Sequence, residues 1–322
     1  MELKYDALDY LKKQPQPWIQ YQIAKSLGAG AKELEEKKRK LLHDPKIIEL
    51  IESVAKWPEP PLVRHSDARH PIHRIQLLLD MGFAESDSFI KEVAEKILDQ
   101  QDRSGALLSL LHIPESYGGA PEPAFGWMSC DFPLLLGILL RLGMAKEPRV
   151  SAALDFLIEI SFDNGFRCTG SFPKFRGPGK KADYCPIGTL YALQACALVP
   201  SLHSEPCVQA AIDSLIDHWE NSRERKVYMF AMGTDFRKLK YPNHWFDILH
   251  LIRVLGNFHY AKSRAAFKEM VSIVANKQQE DASFIPESVY LSFKGWDFGQ
   301  KKIPSPTLTW AVWEIFRNIK EE

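Results

Sequence analysis

The sequence predicts an all-α fold in which two kinds of helix alternate along the chain. One kind is amphipathic: VSAALDFLIEI, from Val150, aligns with VQAAIDSLIDH, from Val208, with most positions identical or closely similar at an offset of 208 − 150 = 58 residues. The other kind is apolar on every side and opens with a proline, as at Pro71, Pro133 and Pro186. An amphipathic helix buries one face, whereas an evenly apolar helix must be buried all round. The alternation at a fixed period therefore predicts two concentric layers of helices.

A helical segment is expected before the repeat, over residues 1–56. Apolar residues recur there at helical spacing, and stop signals such as Gly28 separate the runs. The proline-rich run WPEPPLVRHSDARHP then begins at Trp57 and is typical of an extended loop. We therefore assign the helical array to residues 57–322.

Three histidines lie in or just after this loop, at His65, His70 and His73. Histidine is a common zinc ligand, but the spacing has no matching second cluster of ligand-type residues nearby in the sequence. We therefore expect these histidines to pack the loop.

Composition limits the classes of function. Hydrophobic residues make up 45% of the chain, and Lys+Arg 41 balance Asp+Glu 41, so no broad basic field favours nucleic acid as a partner. The most apolar run, residues 132–140, is too short to span a bilayer, and the first residues have no apolar signal segment. A cytoplasmic protein with reduced thiols is expected, since five cysteines are an odd number.

The links between the two kinds of helix resemble those of a known superfamily. Gln101 and Gly105 precede Leu107, and Gln278 precedes Phe284, with an alanine where the glycine would stand. A Gln-x-x-x-Gly-x-aromatic link is the repeat mark of the squalene cyclase-like terpenoid cyclases and the protein prenyltransferases. This resemblance covers residues 57 to 320 and implies an α/α toroid of about five helical hairpins. It also implies a central cavity for an apolar or isoprenoid-like ligand.

In such a toroid the N-terminal ends of the inner helices gather at one rim, so residues there become neighbours. The residues assigned to the rim or lining of the cavity are Trp127, Cys130, Asp131, Tyr184, Tyr241, Trp245, Asp247 and Trp310. Cysteine and aspartate, which occur among these residues, are zinc-ligand types.

A local resemblance to protein prenyltransferase β-subunits is more specific. Their zinc is held by an Asp-x-Cys pair opening one inner helix and a histidine opening the next, and Asp183, Cys185 and His244 match that arrangement. The resemblance also implies a diphosphate-binding loop, with Lys180 three places before the aspartate and Arg176 as a second basic residue.

Several alternatives stay open. One alternative is a metal site that uses Cys130 and Asp131. Another is a purely structural role, because a cysteine before a proline-started helix, such as Cys185, is typical of core packing, and an aspartate there, such as Asp183, is typical of a helix cap. The acidic strings that cyclases use are absent from the sequence, so an enzyme of this kind would be a transferase. The rival is a toroid that acts as a non-catalytic binding module, and the need for a protein partner is undetermined.

Overall fold

The computed structural model describes residues 2–177, 179–180, 182–225, 227 and 230–320. It is helix-dominated, as predicted, with 50% of the residues helical. The α-helices are, in chain order, α1 (Leu8–Lys12), α2 (Pro17–Ser26), α3 (Ala31–Leu42), α4 (Pro45–Val54), α5 (Pro71–Asp80), α6 (Ser88–Leu98), α7 (Phe132–Arg141), α8 (Pro148–Glu159), α9 (Pro186–Cys196), α10 (Pro206–Glu220), α11 (Ile248–Leu255), α12 (His259–Lys262), α13 (Ala265–Ala275) and α14 (Pro306–Lys320). Strands β1 (Ser109–Leu111) and β2 (Ala124–Gly126) form one antiparallel pair. In this part of the chain, none of the helices combines the length and apolar character needed to cross a membrane.

The chain divides into two compact units. Unit 1 comprises Met1–Ser53, Arg74–Phe83 and Thr234–Glu322, and unit 2 comprises Val54–His73 and Ala84–Gly233. The predicted N-terminal segment therefore groups with the last part of the chain. Unit 2 begins three residues before the boundary predicted at Trp57.

Unit 2 shows the predicted alternation of buried and half-buried helices. Helix α7 packs against α6, α8 and α9, and α9 packs against α10. Helices α7 and α9 are buried along nearly their whole length, while α6, α8 and α10 bury one face each. Full burial of a large apolar side chain stabilises a fold by about 1.5–3 kcal/mol, so α7 and α9 form the core of this unit.

Unit 1 is organised around α14, which contacts α1, α2 and α11. Two tryptophan indoles fix these contacts: Trp18 Nε1–H donates to Thr307 Oγ1 at 2.7 Å, and Trp313 Nε1–H donates to Asp6 Oδ1 at 2.9 Å. The predicted N-terminal helices are thus held to α14 by polar as well as apolar contacts.

The two links that carry the repeat mark have the same local geometry, one in each unit. Gln101 Nε2 donates to the carbonyl of Gly105 at 2.8 Å, and Gln278 Nε2 donates to the carbonyl of Ala282 at 3.1 Å. Gly105 has a φ of 96° and Ala282 a φ of 68°, so both turns need the left-handed region. In both links the glutamine side chain stabilises the turn, whether a glycine or an alanine occupies the left-handed position.

Two aromatic residues that follow left-handed turns, Phe166 after Gly165 and Phe284 after Ala282, are tied to the next buried helix. The backbone N–H of Phe166 donates to Thr189 Oγ1 at 3.1 Å in unit 2, and that of Phe284 donates to Thr309 Oγ1 at 2.9 Å in unit 1. Both phenylalanines are buried. The spacing between them, 284 − 166 = 118 residues, is about twice the predicted period.

Candidate functional site

Backbone pairing in unit 2 brings three cysteine-bearing segments together. Met128 bridges to Gly170, and Arg167 bridges to Tyr184. The N–H of Cys185 donates to the carbonyl of Phe166 at 2.6 Å. The segment around Cys168 therefore lies between the segments that precede α7 and α9, which carry Cys130 and Cys185.

Two glycines permit this close approach. A Cβ on Gly170 would lie 2.3 Å from Met128 Sδ, and a Cβ on Gly188 would lie 2.9 Å from the carbonyl oxygen of Ser129. Atoms at those distances overlap, so a side chain at either position would force the segments apart. The first turn of α9 thus packs directly on the residues that lead into α7.

An aspartate and a histidine form the polar centre of the site. His65 Nδ1 lies 2.7 Å from Asp131 Oδ1. Asp131 is the N-cap residue of α7 but makes no capping hydrogen bond with its side chain. Its other oxygen, Oδ2, is buried and has no hydrogen-bond partner among the described residues. Burial lowers the pKa of His65, but the adjacent Asp131 carboxylate outweighs this effect, so the pKa of His65 is raised.

A cysteine completes a group of metal-ligating type. The ligand atoms of His65, Cys130 and Asp131 all lie within 4.8 Å of one another. Among the described residues, this is the one group of three ligand-type side chains close enough to share a metal ion. Cys130 is buried, and burial together with the neighbouring Asp131 carboxylate raises the pKa of its thiol. Nitrogen, sulfur and carboxylate donors of this kind are the set that zinc takes in proteins, and here Cys130 and Asp131 are buried while His65 is half-buried.

A second thiol pair adjoins this group. The pKa of Cys185 is lowered, and the neighbouring side chain of Cys168 is the main cause. Burial opposes the shift, while backbone N–H groups of Ile187 and Gly188 in the first turn of α9 reinforce it. The pKa of Cys168 is raised by the neighbouring side chain of Cys185 and by burial.

The three histidines of the loop have different roles. His73 Nε2–H donates to the carbonyl of His65 at 2.7 Å, and His70 Nε2–H donates to the carbonyl of Pro60 at 2.9 Å while its Nδ1 accepts from the N–H of Ile72. These two pack the loop, as predicted. The same expectation was wrong for His65, because the loop brings its ring to Asp131.

Of the ligands implied by the prenyltransferase resemblance, Asp183 and Cys185 belong to unit 2, and Cys185 adjoins this cluster. Asp183 Oδ1 lies 3.6 Å from Arg225 Nη2, also in unit 2. His244 belongs to unit 1 and stacks on Tyr290, with ring centroids 4.0 Å apart. A shared metal site of Asp183, Cys185 and His244 stays a prediction, whereas the alternative pair Cys130 and Asp131 does lie in the observed group.

The predicted rim aromatics of unit 2 make packing contacts. The Tyr184 hydroxyl donates to the carbonyl of Ser214 at 2.7 Å, and burial raises the pKa of this phenol. Trp127 packs edge-on against Phe156, with centroids 5.2 Å apart.

The corresponding residues of unit 1 lie around α11 and α14. Asp247 caps α11, since its Oδ1 accepts from the N–H of His250 at 2.9 Å. The carbonyl of Trp245 is paired with His250 Nδ1 at 2.8 Å. Tyr241 and Trp310 line a recess of about 10 Å³, which holds about one water molecule and is too small for an isoprenoid.

The predicted anion-binding residues lie in a loop that contacts the thiol pair. Arg176 and Lys180 are exposed, while Pro178 and Lys181 of the same loop lie outside the described residues. A Cβ on Gly177 would lie 2.8 Å from Cys168 Cβ and 2.9 Å from Cys168 Sγ. The basic loop is therefore packed against one edge of the cysteine cluster.

His65 is the residue of the site that the sequence interpretation missed. It precedes the proline-started helix α5, as Cys130 precedes Pro133 and Cys185 precedes Pro186. A search for ligand-type residues before each such helix would have found it.

No family model matches the chain, and no curated protein is significantly similar to it.

Proposed function

We propose that the protein is a zinc-dependent transferase whose metal is held by His65, Cys130 and Asp131. The observation that carries the proposal is the clustering of one nitrogen, one sulfur and one carboxylate oxygen within 4.8 Å of one another. A catalytic zinc has three protein ligands of these types and one open position.

The buried carboxylate supports the fit. Asp131 Oδ2 lacks a hydrogen-bond partner in the described part of the chain, and a buried oxygen of that kind costs about 1–3 kcal/mol when it stays unpaired. A cation beside it would remove this cost. Zinc ligands lie about 2.0–2.3 Å from the metal, so the three ligand atoms need to close by small side-chain rotations.

The chain's own residues supply orientation and charge. Before metal binds, the contact of Asp131 Oδ1 with Nδ1 holds the ring of His65 beside the carboxylate. The first turn of α9 holds Cys185 next to the group by hydrogen bonds from backbone N–H groups. Bound zinc would hold an acceptor thiolate as a nucleophile.

We further propose that the substrate carries an anionic leaving group, with an apolar or isoprenoid-like body. The exposed Arg176 and Lys180 are the cations of the loop that packs against Cys168. Guanidinium and ammonium groups bind phosphate oxygens strongly, so these two residues would neutralise a diphosphate as it departs.

The proposed architecture is an α/α toroid. Its support is the repetition of one link geometry in both units, with Gln101 and Gln278 closing turns of the same kind. The buried threonines that receive the next aromatic N–H, Thr189 and Thr309, repeat as well.

A non-catalytic binding module is the second candidate. The recess lined by Tyr241 and Trp310 favours it over the transferase, because this recess has room for about one water molecule and not for the apolar body of an isoprenoid substrate.

Elemental analysis tests the proposal. Protein purified without chelator or metal-affinity tag is compared with His65→Ala and Cys130→Ala, and with Asp183→Ala and Cys207→Ala as controls. Near-stoichiometric zinc that is lost in the first two variants and kept in both controls supports the site. Such a result also justifies screening allylic diphosphates against thiol acceptors.

Two outcomes would overturn the assignment. If the wild-type protein holds no metal after zinc loading, the zinc site is excluded and the non-catalytic binding module is favoured. Zinc lost in Asp183→Ala, but kept in His65→Ala, would move the metal to the residues implied by the prenyltransferase resemblance.

A further inference from the structure

We propose that the loop of residues 291–303 docks on a membrane surface that carries anionic lipids. This inference concerns a surface of unit 1 that the transferase proposal does not use, and it does not require a bound metal.

The loop exposes two large aliphatic side chains. Leu291 is 86% exposed and Ile303 is 63% exposed. Among the described residues, these are the two most exposed large apolar side chains. Single apolar side chains are common on protein surfaces, so the distinguishing feature is that both belong to one short loop.

Close backbone contacts hold the two ends of the loop together. Leu291 and Phe293 share one helical turn, and a Cβ on Gly299 would lie 1.9 Å from the Phe293 carbonyl oxygen. Gln300 closes the following turn, because its Nε2–H donates to the carbonyl of Ile303 at 2.9 Å and its Oε1 accepts from the N–H of Ile303 at 3.0 Å. The turn that carries Leu291 therefore adjoins the turn that carries Ile303.

Aromatic packing gives the loop a fixed base. The ring centroids of Phe293 and Phe298 are 5.4 Å apart, and those of Trp296 and Phe298 are 5.2 Å apart. Trp296 also packs on Trp18 of α2, with centroids 5.1 Å apart. All four rings are buried. A loop ordered in this way loses little conformational entropy when it docks.

The exposed charges of the loop are all positive. They are Lys294, Lys301 and Lys302. Asp297 is the one acidic residue of the loop, and its carboxylate accepts from the N–H and the hydroxyl of Thr307 in α14, both at 2.8 Å. Lysines close to an anionic membrane surface are attracted to it, so the charge of this loop is complementary to such a surface.

This composition fits a lipid bilayer better than a protein partner. The core of a protein–protein interface is enriched in aromatic residues and depleted in lysine. In this loop the aromatic rings are buried, whereas the lysines and the two aliphatic side chains are exposed. Aliphatic side chains that enter the acyl boundary, next to lysines that meet anionic headgroups, are typical of proteins that bind at a membrane interface.

Vesicle sedimentation tests the proposal. The full, metal-free chain is centrifuged with sucrose-loaded phosphatidylcholine vesicles, either pure or with about 30% phosphatidylserine. We expect the protein to sediment with the phosphatidylserine vesicles and to stay in solution with pure phosphatidylcholine. High salt should weaken the binding, because it screens the lysines.

Substitutions of Leu291 test whether the loop enters the bilayer. Leu291→Ser should lower the partition coefficient on phosphatidylserine vesicles by roughly 10-fold or more, because it removes an apolar side chain that the bilayer buries. Leu291→Trp should bind at least as tightly as the wild type, because tryptophan favours the membrane interface. Leu27→Ser is the matched control, since Leu27 is 54% exposed just after α2 in the same unit.

Substitutions of the lysines test the electrostatic contribution. Lys301→Ala combined with Lys302→Ala should lower the partition coefficient by roughly 25-fold, because each lysine near an anionic surface contributes about 5-fold. Lys25→Ala combined with Lys32→Ala removes two exposed lysines of the same unit and should change binding by about 2-fold at most, because charges distant from the membrane are screened.

Three outcomes would overturn the proposal. One is protein that stays in solution with both kinds of vesicle, and another is control variants that lose as much binding as the loop variants. The third is Leu291→Ser that binds like the wild type while the variant at Lys301 and Lys302 does not, which would mean that the loop recognises anionic groups, as on an acidic protein, without entering a bilayer. Circular dichroism of each variant confirms that it is folded, and the metal-free protein keeps vesicle binding separate from zinc binding.

Discussion

Asp131 in unit 2 and Asp247 in unit 1 hold the same position at the start of a buried helix, yet they do different things. Asp247 caps its own helix, because its Oδ1 accepts from the N–H of His250 at 2.9 Å. Asp131 makes no capping hydrogen bond and instead contacts His65 Nδ1 at 2.7 Å. Both leave Oδ2 buried with no hydrogen-bond partner among the described residues. Both units therefore have a buried aspartate at the start of a helix. In unit 2 a loop also places His65 beside this aspartate, so the two side chains can act together as metal ligands.

The largest effect expected from these two aspartates is the pH dependence that Asp247 gives to the free energy of unfolding. Burial raises the pKa of its carboxyl to about 7, compared with about 3.9 in an unfolded chain. Between these values the unfolded chain has lost a proton that the folded protein keeps, so stability is full below about pH 4 and falls as the pH rises to about 7. At 1.36 kcal/mol per pH unit, the free energy of unfolding loses up to about 4 kcal/mol.

Asp247→Asn should remove this slope, because an amide oxygen still accepts from the N–H of His250. The measurement is urea unfolding of wild type and variant from about pH 4 to about pH 8. A variant that keeps the wild-type slope would show that another group titrates in this window.

His218 of α10 gives unit 2 the opposite pH dependence. Burial lowers the pKa of its imidazole to about 4, compared with about 6.5 when unfolded. As the pH falls from about 6.5 to about 4, the unfolded chain binds a proton that the folded protein does not, so up to about 3 kcal/mol of stability is lost. We expect His218→Gln to reduce the acid-side slope without abolishing it, because burial also lowers the pKa of His73 to about 4, and to leave the slope due to Asp247 in place. An unchanged acid side in that variant would contradict the assignment.

The two aspartates are also a matched pair for metal binding. Asp131→Asn should weaken zinc binding by roughly 10- to 100-fold, because the carboxylate serves as a ligand and orients His65. Asp247→Asn should leave the affinity unchanged. Zinc titration against a competing chelator measures both, and equal losses in the two variants would mean that the effect is not local to His65 and Cys130.

The smallest expected difference concerns the two links. Gly105→Ala should lower the free energy of unfolding by about 1–3 kcal/mol, because a Cβ there would lie 2.5 Å from the Ala152 carbonyl oxygen at a φ of 96°. Ala282→Gly should change it by less than about 1 kcal/mol, since relief of strain at a φ of 68° offsets the greater freedom of glycine when unfolded. Thermal unfolding of the two variants provides the comparison. A destabilisation by Ala282→Gly as large as that by Gly105→Ala would show that the turns are not equivalent.

The helical character of the chain and the faces that its helices bury were predictable from the sequence, because both depend on local periodicity. The evenly apolar residues of α7 and α9 are buried, as expected, and the amphipathic α8 and α10 each bury one face. The polar anchors Gln101 and Gln278 also behave as their shared link pattern indicates.

Only some of the residues that form the site could be identified from the sequence. Cys130, Asp131 and Cys185 were identified because they precede proline-started helices. His65 was assigned to loop packing with His70 and His73, and nothing in their spacing separates the three. Its difference arises from a contact with Asp131, 66 residues further along the chain.

By itself, the sequence determined the alternation of helices, the turns that join them and the residue types at the helix starts. These features depend on apolar periodicity, on proline and glycine backbone preferences, and on side-chain hydrogen bonds within a few residues. Only the tertiary structure decided which of those residues meet. The Asp131 carboxylate contacts His65, and the segment that carries Cys168 pairs with the segment that carries Cys185. Such pairings depend on how distant segments cross, and therefore on close approaches such as that of Gly188 to the Ser129 carbonyl.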